Sequence, residues 1–240
     1  MIPVRSEQGR PIMTRILALI PAYNEQERVA DVVRGASTHL PILVVDDGSA
    51  DDTAARAEAA GAQVLRQQPN QGKGAALRAG FRWALDADYE AVITLDADGQ
   101  HDPAEIPRFL EAYTSAKADL IIGARDFRQM PFSRRLANTL GQRLFSWALG
   151  QPVRDNQSGY RLISRRLMEA VLDSGEHGFE FEVEMITICV ERGFTLAWVP
   201  IRTIYAGESS HVRPVQHTLN FLRVVWQTRQ RVRRARRVRF

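Results

Sequence analysis

Cysteine and lysine are scarce in this sequence. The 240 residues include one cysteine, Cys189, which excludes both an internal disulfide framework and a cysteine-rich zinc site. Its apolar neighbours predict a buried, inert thiol on a helix. Only two of the 32 basic residues are lysines, Lys73 and Lys117, so a lysine within a motif is a candidate functional residue.

Long apolar runs are also absent. No stretch approaches the roughly 18 apolar residues that a membrane-spanning helix needs. The first fourteen residues lack the apolar core of a secretory signal, so we expect no export and a reducing, cytoplasmic setting. Residues 1–14 are interpreted as an N-terminal tail ahead of the folded domain.

The net charge of +4 is unevenly distributed along the chain. Residues 223–240 contain eight arginines and no acidic residue, which leaves the rest of the chain with a net charge of −4. The overall charge therefore says little about the chemistry of an active site in the body of the protein.

Short apolar runs alternate with helix-like segments in the N-terminal half. With 45% apolar and 25% charged residues, the composition is that of a globular protein. Uniformly apolar strands are usually covered on both faces, and their alternation with helices predicts an α/β fold with a mostly parallel sheet. The predicted strands are Ile16–Ile20, Ile42–Val45, Ala62–Leu65, Ala91–Leu95 and Leu120–Ile122, and the predicted helices are 25–38, 52–60, 73–87 and 103–115.

The pattern changes after Arg125. No internal repeat or linker is present, so we expect one domain over 15–212, followed by a basic amphipathic helix or tail over 213–240. Within the second half, the predicted helices are 133–149, 165–173, 181–192 and one from about 216, and the predicted strands are 160–163, 195–199 and 201–205.

Polar clusters follow the predicted strands. They read PAYNE from Pro21, DDGS from Asp46, NQGKG from Asn70 and DADGQ from Asp96. Each could be a simple turn. In an open parallel sheet, however, the carboxyl ends of the strands meet at one edge, where ligands bind. Four such clusters together predict a ligand site.

Asp96 and Asp98 are the strongest single indication of chemistry. Residues i and i+2 of an extended segment point the same way, so two carboxylates lie side by side and repel each other. A divalent cation relieves that repulsion, and Mg²⁺ or Mn²⁺ with oxygen ligands then binds a diphosphate. The glycines around Lys73 would let the backbone approach phosphate while the ammonium neutralises it.

Two common nucleotide sites are excluded by the sequence. The first strand is not followed by G-x-G-x-x-G, which argues against a dinucleotide oxidoreductase. Gly74 and Ala75 follow Lys73, so the G-x-x-x-x-G-K-[ST] loop of the P-loop nucleotidases is absent.

The ordered set PAYNE, VVDDGSADDT, NQGKG, TLDADGQHDP, IIGAR and DNQSGYRLIS resembles the inverting family 2 glycosyltransferases with the GT-A fold. The branch it resembles most is that of the dolichyl- or polyprenyl-phosphate mannosyl and glucosyl synthases. The similarity runs from about residue 16 to 212. It implies a Rossmann-like, mostly parallel sheet flanked by helices and a hexose donor such as UDP-glucose or GDP-mannose.

The resemblance also implies a donor site and a metal site. For the nucleotide sugar the implied residues are Pro21, Ala22, Tyr23, Asn24, Glu25, Asp46, Asp47, Lys73, Asp96, Ala97 and Asp98. The implied ligands of Mg²⁺ or Mn²⁺ are Asp96, Asp98 and Gln100. The implied catalytic set is Asp96, Asp98, Lys73 and Arg125.

The implied acceptor is a polyprenyl or dolichyl phosphate. Ser158, Gly159, Tyr160 and Arg161 match the S-G-[FY]-R segment that borders the acceptor side in this family. His211 stands where the branch has a lysine that contacts phosphate, and at neutral pH a histidine is only partly charged. The residues predicted to bind acceptor or phosphate are Arg125, Arg134, Ser158, Arg161, Arg202 and His211.

A lipid phosphate is already ionised at neutral pH and requires no strong general base. A hydroxyl acceptor would need a carboxylate within hydrogen-bond reach. The candidates for such a base are Asp155, Glu180, Glu182 and Glu184. The arginine-rich composition of the implied site favours the phosphate acceptor.

The C-terminal segment admits several interpretations. Leu219, Leu222, Val225, Trp226 and Val232 alternate with arginines, a pattern typical of helices that lie on an anionic membrane surface. We therefore expect a cytoplasmic protein with candidate peripheral contact at the inner face of the membrane. The alternatives are a solvated helix end or a frayed tail. Nucleic-acid binding is disfavoured, since the body is acidic and lacks a basic groove with interleaved aromatic residues.

Two other functional classes stay open at this point. A sugar nucleotidyltransferase would use a parallel sheet, a basic glycine-rich loop and a metal, but it carries that loop after the first strand, where this chain has PAYNE. A non-catalytic scaffold that binds nucleotide sugar is the second alternative. The intact DADGQ and GKG motifs argue against it.

Overall fold

The computed structural model describes residues 2–5, 11–127, 132–173, 181–202, 204 and 223–234; the side chains of residues up to 14, of 132–134 and of 137 are not described. Seven strands form the main sheet: β3 Ile16–Ala22, β4 Ile42–Asp47, β5 Gln63–Gln67, β6 Ala91–Thr94, β7 Leu120–Arg125, β8 Arg161–Ser164 and β9 Leu196–Ile201. Across the sheet they lie in the order β5-β4-β3-β6-β8-β7-β9.

All strand pairs of this sheet are parallel except those of β8. That strand runs antiparallel to both β6 and β7, between which it lies. The pairs β3–β4, β3–β6, β4–β5 and β7–β9 are parallel. The predicted α/β class with a mostly parallel sheet is confirmed.

Seven helices follow the strands, with an eighth near the C-terminus of the described residues. Their bounds are α1 Val29–Ser37, α2 Thr53–Ala59, α3 Lys73–Asp86, α4 Ile106–Ala116, α5 Phe132–Leu149, α6 Arg165–Leu172, α7 Phe181–Arg192 and α8 223–234. A 3-10 turn, Pro103–Glu105, leads into α4, and Asp102 caps it by accepting a hydrogen bond from the Ala104 amide at 3.0 Å. Among the described helices, none combines the length and the apolar character of a membrane span.

The core has two layers, one on each face of the sheet. Alternation along β3 sends Leu17 and Leu19 into one layer, and Ala18 and Ile20 into the other. The first layer includes α3, α5, α6 and α7, and the second includes α1, α2 and α4. Both faces are therefore covered, which is why the strand runs are so uniformly apolar.

Two sequence expectations differ from the structure at the edges of the fold. The separate strand predicted at 201–205 is wrong for the described residues, because β9 continues through Pro200 to Ile201 and both Arg202 and Ile204 lie outside it. Pro200 is tolerated within β9 because β9 is an edge strand of the sheet. Within the predicted N-terminal tail, β1 Ile2–Arg5 and β2 Pro11–Thr14 form an antiparallel pair.

Candidate active site

A cleft of about 450 Å³ opens at the carboxyl ends of β3, β4 and β6. Nine of the eleven residues predicted for the nucleotide sugar line it: Pro21, Ala22, Tyr23, Glu25, Asp47, Lys73, Asp96, Ala97 and Asp98. Asn24 and Asp46 are not among its lining residues, and Asn70, Gly72 and Ala76 complete it. The polar clusters thus meet at one sheet edge, as their positions after the strands predict.

The loops after β3 and β4 are joined by hydrogen bonds. The Asn24 amide donates to Ser49 Oγ at 2.9 Å, and Asn24 Oδ1 accepts from the Ala50 amide at 2.8 Å. The Glu25 amide donates to Thr53 Oγ1 at 2.8 Å. Asn24 therefore holds the two loops together while its neighbours line the cleft.

Asp47 shapes the glycine-rich loop ahead of α3. Its buried carboxylate accepts hydrogen bonds from the Gln71 amide at 2.9 Å and from the Gly72 amide at 2.7 Å. Gly72 has a φ of 90°, a conformation that side chains disfavour, and α3 begins at the next residue, Lys73. Asp46 instead accepts from the Ser49 amide at 3.3 Å, within its own turn. A nucleoside contact by either aspartate stays a prediction.

Lys73 lies between two carboxylates. Its Nζ is 2.6 Å from Asp96 Oδ1 and 2.8 Å from Glu182 Oε1, the latter on the first turn of α7. Burial by itself lowers the pKa of Lys73, but Asp96 and Glu182 raise it well above its ordinary value. The ammonium is therefore charged at every physiological pH.

The Asp96–Asp98 pair is held by the turn that follows it. His101 Nδ1 accepts a hydrogen bond from the Asp96 amide at 3.0 Å, so the ring proton is on Nε2. Asp98 Oδ1 accepts from the Gln100 amide at 2.9 Å. Burial lowers the pKa of His101, so its ring is neutral. Gln100 thus contributes its backbone here, and its predicted role as a metal ligand stays a prediction.

The two carboxylates of this pair have opposite pKa shifts. Burial raises the pKa of Asp96, but the charge and hydrogen bond of Lys73, together with smaller contributions that include Arg125, outweigh it and bring the pKa to about 2. Burial, together with the nearby charge of Asp96, raises the pKa of Asp98. The positive charge of Lys73 and the hydrogen bond from the Gln100 amide act in the opposite direction but do not offset these effects.

These residues fit a divalent cation that arrives with a diphosphate. Within the described ranges, no group of three or more histidine, cysteine, aspartate or glutamate side chains is placed to hold an ion. Mg²⁺ commonly binds one or two carboxylates and takes its other ligands from water and substrate phosphates. Asp96 and Asp98 provide such a pair, and a cation would add positive charge beside Asp98.

Arg125, at the end of β7, is bound by a buried aspartate. Its Nε lies 2.6 Å from Asp155 Oδ2 and its Nη2 lies 3.0 Å from Asp155 Oδ1, a bidentate ion pair. The Arg125 side chain is about one-fifth exposed, whereas Asp155 is fully buried. Asp155 therefore orients the guanidinium beside the cleft. A contact of Arg125 with substrate phosphate stays a prediction.

Arg161 and Ser158 lie in the interior. The Arg161 guanidinium donates to the backbone carbonyls of Asn156, Ser158 and Glu182, and only 1% of the residue is exposed. Arg161 thus fixes the loop before β8 to the start of α7, where Glu182 meets Lys73. Direct contact with acceptor, which the family resemblance implies for both residues, stays a prediction.

The remaining predicted acceptor residues are only partly described. Arg202 follows β9 and is exposed, and the register pairs its neighbour Ile201 with Arg125, so Arg202 lies at the same sheet edge. Arg134 lies in the first turn of α5, and its side chain is outside the described part. His211 and Glu180 also lie outside the described residues.

The contact of Glu182 with Lys73 is not indicated by the sequence. Glu180, Glu182 and Glu184 alternate in one segment, and all three are candidate bases by sequence because the pattern gives no reason to separate them. The structure separates Glu182 from Glu184, since Glu182 contacts Lys73 whereas Glu184 Oε1 pairs with Arg231 Nη1 of α8 at 2.5 Å. Only the packing of α7 beside α3 and α8 reveals this difference.

Comparison with known proteins is consistent with this geometry. Residues 18–172 match the model of the family described as glycosyl transferase family 2. The polyprenol monophosphomannose synthase of Mycolicibacterium smegmatis is 34% identical over 226 residues, which cover 83% of this chain and 84% of that protein. The undecaprenyl-phosphate mannosyltransferase of Micrococcus luteus is 35% identical, with 78% of this chain and 82% of that protein covered.

A solved structure supports the fold. Glucosyl-3-phosphoglycerate synthase from Mycobacterium tuberculosis, in complex with phosphoglyceric acid, superimposes with a TM-score of 0.70 at 23% identity, covering 92% of this chain and 80% of that one. The family match, the two relatives and the cleft at the strand ends agree. The chain belongs to glycosyl transferase family 2.

Proposed function

We propose that this protein transfers a hexose from a nucleoside-diphosphate sugar to a polyprenyl phosphate, with inversion at the anomeric carbon. The observation that carries the proposal is the meeting of Lys73 with the Asp96–Asp98 pair in one cleft at the strand ends. The names of the mycobacterial and micrococcal relatives, which both denote mannosyl transfer to a polyprenyl phosphate, supply the substrate class.

The chain's own residues account for departure of the nucleoside diphosphate. A bound Mg²⁺ or Mn²⁺ would be held by Asp96 and Asp98 and would supply positive charge next to the diphosphate. Lys73 stabilises the same leaving group as negative charge builds on it. Glu182 and Asp96 hold the ammonium in place, so little reorganisation is required during the reaction.

The charges around the cleft favour a phosphate acceptor over a hydroxyl. Each described candidate for a general base is already paired with a cation: Asp155 with Arg125, Glu182 with Lys73 and Glu184 with Arg231. In each case a cationic side chain of the protein itself already occupies the carboxylate. A phosphate oxygen needs no deprotonation, and Arg125 and Arg202 are placed at the edge where an anion would approach.

We further propose peripheral action at the inner face of a membrane, because the acceptor in this scheme is a membrane lipid. Two types of donor, UDP-glucose and GDP-mannose, match the proposed reaction. The relatives' names favour mannose. Solved glucosyl-3-phosphoglycerate synthase complexes contain UDP-glucose and Mn²⁺, and this fold-level likeness keeps the uridine donor open.

The deciding experiment is a thermal-shift panel of UDP-, GDP-, dTDP- and CDP-sugars, each with Mn²⁺ or with EDTA. A ligand at a hundred times its dissociation constant adds about 2.7 kcal/mol to the free energy of unfolding. We expect one base to stabilise the protein only with the metal. The matching sugar nucleotide is then tested for transfer to a polyprenyl phosphate.

Asp98→Ala provides the matched test of the metal pair. We expect it to abolish both the metal-dependent shift and transfer, while Asp86→Ala, at the exposed end of α3, leaves both unchanged. Unaltered transfer by Asp98→Ala would refute the metal assignment. Donor binding without transfer to any acceptor would favour the scaffold, and release of pyrophosphate from a nucleoside triphosphate and a sugar phosphate would favour the nucleotidyltransferase.

A further inference from the structure

Exposed apolar side chains are concentrated on α5 and α8. Four of the six large apolar residues that are exposed in the described part of the chain lie there: Leu136 at 60%, Leu140 at 57%, Trp147 at 55% and Trp226 at 62%. On α5 the spacings of four and seven residues place all three side chains on one helical face. This face has no role in the core.

Contacts of Arg229 join the two helices into one surface. Its guanidinium lies over the Trp147 ring, 4.8 Å from the centroid, and Nη1 donates to the Trp147 carbonyl at 3.0 Å. Trp226 precedes Arg229 by three residues and therefore shares its side of α8. We call Leu136, Leu140, Trp147 and Trp226 the docking face.

The inner sides of the same helices belong to the core. Phe145, Ala148 and Leu149 of α5 are buried, as are Val225 and Val232 of α8. The sequence had offered Val225 and Val232 for membrane contact, but both pack against the protein body, so α8 contributes Trp226 alone from its described apolar residues. The alternative of a frayed tail that touches nothing is wrong for 223–234.

The charge carried by α5 and α8 themselves is of one sign. Together they contain eight arginines and no acidic residue. Arg143, Arg223, Arg233 and Arg234 are exposed on these two helices. Tryptophan and leucine flanked by arginine match the boundary of an anionic bilayer, where the rings lie at headgroup depth and the guanidinium groups meet lipid phosphates. A second copy of the chain fits poorly, because symmetric pairing would bring arginines against arginines.

The chain connects α5 to the Arg125–Asp155 ion pair at both ends. α5 begins seven residues after Arg125, and the segment that follows α5 reaches Asp155, the residue that binds Arg125. The two ends of the segment from 126 to 154 therefore adjoin the two partners of this ion pair.

We propose that the docking face binds the surface of an anionic lipid bilayer, mainly through Leu136, Leu140 and Trp147 of α5 together with Trp226. The link to the acceptor lipid rests on the proposed function, but bilayer binding itself does not. The arginines concentrate the protein at the anionic surface, and the apolar residues insert among the headgroups.

The test is co-sedimentation of the full chain with vesicles of phosphatidylcholine alone or containing phosphatidylglycerol. We expect binding to the anionic vesicles, and the double variant Leu136→Glu/Leu140→Glu to weaken it about tenfold or more. The matched control is Ala55→Glu/Ala59→Glu, which introduces the same charges at the same spacing on exposed positions of α2, in the opposite core layer. The control should bind vesicles nearly as the wild type does.

The thermal shift with donor, the oligomeric state and a transfer assay in detergent distinguish the possible causes of altered vesicle binding. Both double variants should retain the thermal shift with donor, which excludes misfolding as the cause of lost binding. Equal vesicle binding by wild type and Leu136→Glu/Leu140→Glu, or no preference of the wild type for anionic vesicles, would overturn the proposal. So would a wild-type dimer that this variant converts to a monomer. Failure of sugar transfer to a detergent-solubilised polyprenyl phosphate would count against the proposed function alone.

Discussion

The pKa of Lys73 is raised well above its ordinary value by two neighbouring carboxylates. Two carboxylates, from different elements, meet one ammonium within 2.8 Å. If the Asp96 carboxylate turns to a cation, Glu182 remains as the partner that keeps Lys73 in the cleft. Glu182 is thus a positioning residue for Lys73 in the proposed reaction.

Substituting Glu182 tests this role against that of a general base. Glu182→Gln keeps the shape but removes the charge beside Lys73, so we expect the KM for donor to rise and kcat to fall, each by about tenfold or less, a loss typical of one charged interaction. A general base would instead show a fall of about 10² to 10⁴ in kcat. Steady-state kinetics of Glu182→Gln distinguish the two roles. The control is Glu184→Gln, because the Glu184 carboxylate pairs with Arg231 rather than with Lys73.

Gly159 is required for space rather than for an unusual backbone conformation. A Cβ at this position would lie 2.8 Å from Asp96 Oδ2 and 3.0 Å from Lys73 Nζ. Both are ends of flexible side chains, so Gly159→Ala should leave the melting temperature nearly unchanged while displacing the carboxylate and the ammonium.

We expect Gly159→Ala to lose most of the Mn²⁺-dependent stabilisation by donor. The comparison is with Gln157→Ala, an exposed position in the same loop, measured by thermal shift with and without EDTA. Full retention of the metal-dependent shift in Gly159→Ala would show that Asp96 can move without consequence.

At the scale of elements, α8 is attached to the body by Arg231. Its guanidinium lies 2.7 Å from Glu191 Oε2 and 2.5 Å from Glu184 Oε1, and Thr228 Oγ1 lies 3.3 Å from Thr187 Oγ1. All of these partners are on α7. Because the first turn of α7 also carries Glu182, the attachment of α8 and the position of Lys73 depend on the same helix.

Arg231→Met should loosen α8. Partly exposed ion pairs contribute little singly, so for this bidentate group we expect a loss of about 1 kcal/mol, discounted for solvent screening. In a domain of this size such a loss lowers the melting temperature by roughly 2–4 °C. Limited trypsin digestion should cut the C-terminal segment faster than in the control Arg234→Met, and equal rates in both variants would contradict the anchoring role.

The strands that are continuous apolar runs could be predicted, whereas those whose direction or extent depends on tertiary context could not. The apolar runs of β3, β4, β6 and β7 could be assigned from the sequence since strands covered on both faces show no alternation. The antiparallel direction of β8 could not, because strand direction depends on how the segment after α5 returns to the sheet. The extent of β9 through Pro200 likewise depends on its place at the edge.

At the scale of the whole molecule, Cys189 reports on global unfolding. Its thiol on α7 is fully buried, as the sequence predicted, and burial raises its pKa to about 12. At pH 8 the folded thiol is protonated and inaccessible, so a thiol reagent should react only after unfolding. The chain has no second cysteine to obscure the signal.

We expect donor and Mn²⁺ together to slow the labelling of Cys189. At a hundred times the dissociation constant, the ligand reduces the unfolded population about 100-fold, and the labelling rate falls equally when refolding outpaces the reagent. The measurement is the rate of reaction with a chromogenic disulfide reagent at pH 8. Rapid labelling unaffected by ligand would mean that α7 opens locally, independently of the cleft.

The sequence by itself determined the class of fold and the chemical character of the cleft. Apolar strand runs separated by helices specify a mostly parallel sheet, and parallel strands bring the residues that follow them to one edge. Pro21, Asp47, Lys73 and Asp96 could therefore be assigned to one site without coordinates. These inferences succeed because apolar runs are local features of the sequence, and because the carboxyl ends of parallel strands always meet at one edge of the sheet.

Only the tertiary structure decided which charges meet and which surfaces stay open. The Arg161 guanidinium donates to three backbone carbonyls, which its motif in the sequence does not indicate. Glu182, rather than Glu184, contacts Lys73. Val225 and Val232 are buried, whereas Leu136 and Leu140 are exposed. Such partners come from segments far apart in the chain, and helix packing, which local sequence patterns do not encode, brings them together.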